Sequence, residues 1–206
     1  MGLTGGIGSG KSSVARFWQE RFGLVCIDAD GICRQLLKPE ASGWLAVVAA
    51  FGETFLAPDR TIDRPRLRAA IFGDSALRRQ LDALLHPLVR KEVRRQIHQA
   101  SGVRCLVEVP LLYEAGWQDE FDVVVVVYAP SGRCRQRLMA RDRVSAEAAD
   151  LALAAQLPLA EKALLAAHVI DNSGPWQDTC LQLLHLGEVL WGGRWGEESH
   201  HDVSCL

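Results

Sequence analysis

Gly5-Gly6-Ile7-Gly8-Ser9-Gly10-Lys11-Ser12 sets a lysine and a hydroxyl directly behind a run of glycines, close to the start of the sequence. Gly5 and Gly10 flank four residues and Lys11-Ser12 follow, which satisfies G-x-x-x-x-G-K-[ST], the phosphate-binding P-loop. Backbone N–H groups must point inward at phosphate oxygens in such a loop, in conformations and at distances that a β-carbon obstructs. Lys11 brings a positive charge to the same phosphates, and the Ser12 hydroxyl suits Mg²⁺. Val14, Phe17, Trp18 and Phe22 then recur at helical spacing and Gly23 is placed to end that helix. The helix aims the positive end of its dipole at the loop, and the spacing predicts a site for a nucleoside triphosphate with Mg²⁺ as an expected cofactor. Only Met1-Gly2-Leu3-Thr4 precede the loop, so either the first strand is very short or the start is clipped.

Asp28-Ala29-Asp30 puts two carboxylates at i and i+2 where a second strand should end. In phosphoryl transfer one such group can serve a metal, and the other can accept the proton of the attacking hydroxyl. Arg137 and Arg141 lie four apart on one helical face, and Arg141-Asp142 falls where that helix should end, so the pair can turn toward a nucleotide or belong to a solvated face. Glu108 closes a strand near the expected position of a Walker-B-type acid, where it could hold a metal-bound water. His86 can contact a ligand or act as a structural residue at a helix junction. His200, His201, Asp202 and Cys205 carry metal-capable side chains without a scaffold, and no metal site is expected there.

Those residues need a frame. Leu24 to Ile27, Val103 to Val109, Val123 to Val127 and His168 to Asp171 are short apolar runs rich in β-branched residues, each reading as a buried strand. Helical segments alternate with them, which implies βαβ units and a parallel sheet with ligands at the carboxyl ends of its strands. Residues 31–102 read instead as arginine-rich amphipathic helices, with Leu77, Leu81, Leu84, Leu85, Leu88, Val93 and Ile97 at helical intervals. Pro87 suits the first position of a helix, so two helices are expected to meet at His86. Residues 131–157 read as a helix pair, and residues 192–206 as a flexible tail.

The whole chain of 206 residues carries 23 Lys+Arg against 25 Asp+Glu, a net charge of −2, so no global field recruits nucleic acid or an acidic membrane. Six scattered cysteines without C-x-x-C spacing suggest a reduced, cytoplasmic protein. No run approaches the roughly 20 apolar residues that span a bilayer. A monomer with a small-molecule substrate is expected.

Taken in order, the motifs resemble the dephospho-coenzyme A kinase family nearly end to end. Gly2 to Ser12, Ile27-Asp28-Ala29-Asp30, Ile62-Asp63-Arg64, Leu67-Arg68, Leu85-His86-Pro87, Val109-Pro110-Leu111-Leu112-Tyr113-Glu114, Arg137-Leu138, Arg141-Asp142, Gln156 and Val169-Ile170-Asp171-Asn172 carry the likeness. The resemblance implies an α/β, P-loop NTPase three-layer fold with a central parallel sheet, an inserted helical substrate-binding region and a helical lid. The nucleotide-binding core would be residues 1–30, 103–132 and 165–191, the coenzyme-binding region 31–102 and the lid 133–164. It implies that the ribose 3′-hydroxyl of dephospho-coenzyme A attacks the γ-phosphate of ATP.

Asp30 would be the general base, Gly8, Ser9, Gly10, Lys11, Ser12 and Ser13 the ATP loop, Ser12 the metal-binding hydroxyl, and Arg141 a lid arginine. The turn at Asn172 would meet the adenine, and Asp28, His86, Pro110 and Leu111 would meet the acceptor. Ala152 stands where many relatives carry an arginine and Ala167 where an aspartate is common; a few more residues usually precede Gly2. The nearest alternatives are another P-loop small-molecule kinase, acting on a nucleoside monophosphate, and a GTP-dependent regulatory switch, against which no N-K-x-D signature occurs.

Overall fold

The computed structural model describes residues 1–100 and 102–192; the expected tail lies outside the described residues from residue 193 onward, as do His200, His201, Asp202 and Cys205. Five strands, β1 (Gly2–Gly5), β2 (Val25–Asp28), β3 (Cys105–Glu108), β4 (Val124–Tyr128) and β5 (His168–Asp171), form one sheet in the order β2-β3-β1-β4-β5. β1 pairs in parallel with β3 on one side and β4 on the other, and β4 pairs in parallel with β5. The first strand is indeed short, four residues, every one of them buried. Strand order reverses direction at β1, the switch point beyond which parallel sheets bind their ligands.

The chain divides into two compact units, one of Met1–Cys26 and Val103–Leu206, the other of Ile27–Gly102, which interrupts the first in sequence. In the first, α1 (Lys11–Phe22) ends where Gly23 adopts φ 65 and bonds its N–H to the Gln19 carbonyl at 3.0 Å, a left-handed cap that glycine adopts without strain. Val14 and Trp18 of α1 are fully buried, and the Trp18 indole donates to the Leu183 carbonyl of α9 (Trp176–Trp191) at 3.0 Å. Together with Leu3, Val125, Val127 and Ile170 they make the core that fixes α1 against the sheet. After β4 come α6 (Ser131–Asp142), α7 (Ala146–Ala154) and α8 (Leu159–Leu165), the first two packed as the expected pair.

The second unit carries α2 (Ala29–Leu36), α3 (Ser42–Phe51), α4 (Arg64–Gly73) and α5 (Ser75–Gln99) around Trp44, Val47, Phe55, Ile62, Leu67, Leu81 and Leu85. Asp63 and Asp74 cap α4 and α5, accepting from Arg66 N at 3.0 Å and from Ala76 N at 2.8 Å, which satisfies donors that a helix start leaves open.

Pro87 does not start a helix. The expected junction at His86 is absent, and α5 runs unbroken through both residues for 25 residues. A proline there forfeits one backbone bond, to the Ala83 carbonyl. Leu81, Leu85, Val89 and Val93 are buried along one face on both sides of it, and that continuous apolar stripe outweighs one lost bond.

Candidate active site

The loop between β1 and α1 is shaped by its glycines and braced from outside. Gly8 has φ 78, and a β-carbon there would stand 2.5 Å from the Cys134 carbonyl of α6; Gly10 has φ 99 and its would-be β-carbon overlaps the Asn172 amide. Asn172 is buried: its Nδ2 donates to Ser9 O at 2.7 Å, and its Oδ1 accepts from Thr179 Oγ1 at 3.1 Å. Arg137 donates from Nη1 to Gly8 O at 3.5 Å and Ser9 O at 3.3 Å, and from Nη2 to Asn172 O at 3.0 Å. Fixing the Ser9 carbonyl fixes its peptide plane, so the Gly10 N–H points the opposite way. The brace therefore orients the donors of the loop before any ligand arrives.

Behind the loop, Lys11 is 8% exposed and its Nζ donates to Gly6 O at 3.3 Å. The Ser9 hydroxyl is wholly buried with no protein partner. Ser12 and Ser13 are exposed on the first turn of α1, where helical N–H groups have no carbonyl of their own to bond. The Ser12 hydroxyl donates to Glu108 Oε1 at 2.9 Å, bringing the end of β3 to the helix start. A hydroxyl and a carboxylate oxygen beside a phosphate loop fit Mg²⁺, which takes few protein ligands and completes its shell with phosphates and water. No cluster of three or more His, Cys, Asp or Glu that could hold a metal occurs among the described residues. Burial, followed by the Glu108 and Cys105 charges, pushes the Cys26 thiol up to about 11.

Arg137 and Arg141 part company in the structure. Arg137 holds the loop, whereas Arg141 forks onto Asp142, Nε to Oδ1 at 2.7 Å and Nη2 to Oδ2 at 3.0 Å, with its side chain 63% exposed. In the second unit, Asp28 precedes α2 and accepts from Arg34 Nη2 at 2.8 Å, and Asp30 is exposed on the first turn of α2. His86 Nε2 lies 3.8 Å from Asp82 Oδ1 on the same helix. Pro110 and Leu111 are partly exposed just past β3, and the Pro110 carbonyl accepts from Thr4 Oγ1 and from Lys162 Nζ, each at 3.2 Å. Beside the loop lies a cavity of about 410 Å³ lined by Gly6, Tyr128, Cys134, Leu153, Gln156 and Leu159 among others.

A protein-family model described as Dephospho-CoA kinase matches residues 1–178 of this chain. The chain belongs to the dephospho-CoA kinase family. It is 45% identical over 197 residues to a dephospho-CoA kinase of Geobacter sulfurreducens, covering 94% of this chain and 98% of that one. Among solved structures it resembles TT1252 from Thermus thermophilus, with a TM-score of 0.80, 30% identity and 92% and 96% of the two chains covered. It also resembles a dephospho-CoA kinase from Campylobacter jejuni, with a TM-score of 0.65, 27% identity and 91% and 95% covered.

Against that family background, three residues of this dephospho-CoA kinase family chain carry more than their sequence positions suggest. Asn172, expected to meet adenine, has both ends of its side chain engaged by Ser9 and Thr179, so its amide acts as a brace of the loop. Gln156 accepts from the Ile7 N–H at 2.9 Å, across 149 residues of sequence. Lys162 is fully buried and pairs with Glu114 Oε1 at 2.6 Å. Lys162 stands beside Glu161 in α8, and nothing in its local sequence marks it as buried.

Proposed function

We propose that this chain transfers the γ-phosphoryl group of ATP to the ribose 3′-hydroxyl of dephospho-coenzyme A, giving coenzyme A and ADP. The observation that carries the reading is the family match over residues 1–178, because it takes in the P-loop, the acid pair and the loop after β3 together. The 3′-oxygen forms a bond to the γ-phosphorus, the bond from that phosphorus to the bridging oxygen breaks, and the electron pair leaves on ADP. The hydroxyl proton passes to the Asp30 carboxylate.

Each residue then has a task. Residues 8–13 wrap the ATP phosphates with N–H groups, while Asn172 and Arg137 keep the loop in register and the turn at Asn172 borders the adenine. Lys11 neutralises charge on the transferring group. Mg²⁺, held by Ser12 with Glu108 beside it, would supply further charge neutralisation on the phosphates. Asp28, His86, Pro110 and Leu111 meet the acceptor, residues 31–102 serve as its binding region, and residues 133–164 act as the lid. The protein works as a cytoplasmic monomer: Cys26, Cys33, Cys105, Cys134 and Cys180 are all free thiols, which suits a reducing compartment. No helix among the described residues is long and apolar enough to cross a membrane.

The test is ATP consumption with dephospho-coenzyme A as acceptor and mass detection of the added phosphate, with nucleoside monophosphates run beside it. Phosphorylation of a monophosphate in preference to dephospho-coenzyme A would overturn the reading.

Arg141→Lys is expected to lower kcat by about tenfold or more while leaving ATP affinity near its original value, the size of one lost charged hydrogen bond. An ammonium cannot reproduce the planar fork that Arg141 now lends to Asp142 and would lend to two phosphate oxygens. Steady-state kinetics decide it: unchanged kcat with a shifted KM for ATP makes Arg141 a binding residue only.

A further inference from the structure

Lys162 is the one lysine with no exposure at all among the described residues, and both groups it touches belong to the segment that follows β3. Its ammonium donates to Glu114 Oε1 at 2.6 Å and to the Pro110 carbonyl at 3.2 Å. Glu114 Oε1 also accepts the Leu157 N–H at 3.0 Å, and the preceding residue, Gln156, accepts the Ile7 N–H of the phosphate loop. The Pro110 carbonyl takes its second donor from the buried Thr4 hydroxyl, in β1 just before the loop. The ammonium thus ties α8 to the loop after β3, whose Glu114 bonds Leu157, the residue next to the Gln156 that bonds the phosphate loop.

A buried ammonium is tolerated only when its partners hold still, since an unpaired charge away from water is costly. A shift of Pro110 would therefore break one of the two charge-assisted bonds that hold the buried ammonium. We infer that Lys162 is a positioning residue for phosphoryl transfer, which acts through the Pro110 carbonyl to hold the Pro110-Leu111 segment ready for the acceptor. The inference rests on the proposed role of Pro110 and Leu111 in acceptor binding. It differs from a purely stabilising role in where the loss is felt: the acceptor should suffer and the nucleotide should not.

The experiment uses the full-length protein and separates stability from positioning. Lys162→Met alone leaves the Glu114 carboxylate without its counter-charge and is expected to lower the melting temperature. In Lys162→Met/Glu114→Gln both charges are gone, the introduced amide oxygen can still accept from Leu157 N, and the melting temperature is expected to return close to that of the unmodified protein. The KM for dephospho-coenzyme A in this double variant should remain raised by about tenfold, the worth of one charged hydrogen bond, while ADP affinity by calorimetry stays within about twofold. A double variant that melts normally and has an unaltered acceptor KM overturns the inference, as does one whose ADP affinity falls as far as its acceptor affinity. Should the double variant fail to fold, Thr4→Val reads the same carbonyl from its other donor: a raised acceptor KM is expected, and an unchanged one overturns the inference. Failure of the unmodified protein to phosphorylate dephospho-coenzyme A would instead strike the functional reading itself.

Discussion

Lys11→Ala is expected to remove nearly all phosphoryl transfer from a protein that still folds. The lysine opens α1 with 8% exposure, its ammonium 3.3 Å from the Gly6 carbonyl, so its charge sits inside the curl of the phosphate loop. The γ-phosphoryl group gains negative charge on its leaving side as transfer proceeds, and a fixed cation there acts without reorganising. Removing one such preorganised group costs on the order of 10²–10³ in kcat. The fold should survive because alanine is the best helix former and the core face of α1, carried by Val14 and Trp18, is untouched. Circular dichroism and a thermal melt establish that the variant is folded, and turnover of ATP with dephospho-coenzyme A is then measured. Near-normal turnover in a folded Lys11→Ala protein would falsify the ATP-dependent reading.

The strands were legible because each announces itself locally. Val103 to Val109 and Val123 to Val127 are apolar and β-branched, and the structure forms β3 at Cys105–Glu108 and β4 at Val124–Tyr128. Pro110, unable to donate to a ladder, marks where β3 must stop. Their order was not legible: that β1 lies between β3 and β4 depends on pairings across some hundred residues, to which no local pattern refers. The continuity of α5 was missed for the opposite reason, because Pro87 is a strong local signal overruled by a buried face that exists only in the tertiary structure.

The site divides along the same line. Glycines, a lysine and a serine in fixed spacing specify the loop by backbone chemistry alone, and the structure gives Gly8 and Gly10 the positive φ values that spacing demands. Arg137, Gln156 and Lys162 act through backbone groups far off in sequence, and although Arg137 and Gln156 stand in the family's motifs, no local pattern says which distant carbonyl or N–H each side chain bonds. Asn172 shows the subtler failure: its place near the nucleotide loop was readable, but whether its amide faces outward or braces Ser9 depends on Thr179 standing behind it.

Asp30→Asn is expected to cut the turnover number by roughly 10²–10⁴, the usual contribution of general acid–base catalysis, with ATP affinity barely altered. The amide keeps the size and shape of the carboxyl group but cannot accept the 3′-hydroxyl proton as a base. Asp30 is exposed on the first turn of α2, where a substrate hydroxyl can meet it. Asp28 has one oxygen taken by Arg34 at 2.8 Å, an ion pair whose side chains are 51% and 53% exposed. Losing so exposed a pair costs little stability, so Asp28→Asn should also fold. If Asp28 mainly orders magnesium or the segment behind it, the Asp28→Asn defect should shrink as Mg²⁺ is raised, because a weakened site is refilled by mass action. Added metal cannot restore a missing base, so Asp30→Asn should stay slow at every Mg²⁺ concentration. Single-turnover rates for both variants at low and high Mg²⁺ separate the roles: rescue of Asp30→Asn by metal, with Asp28→Asn unresponsive, would exchange the two assignments and make Asp28 the base.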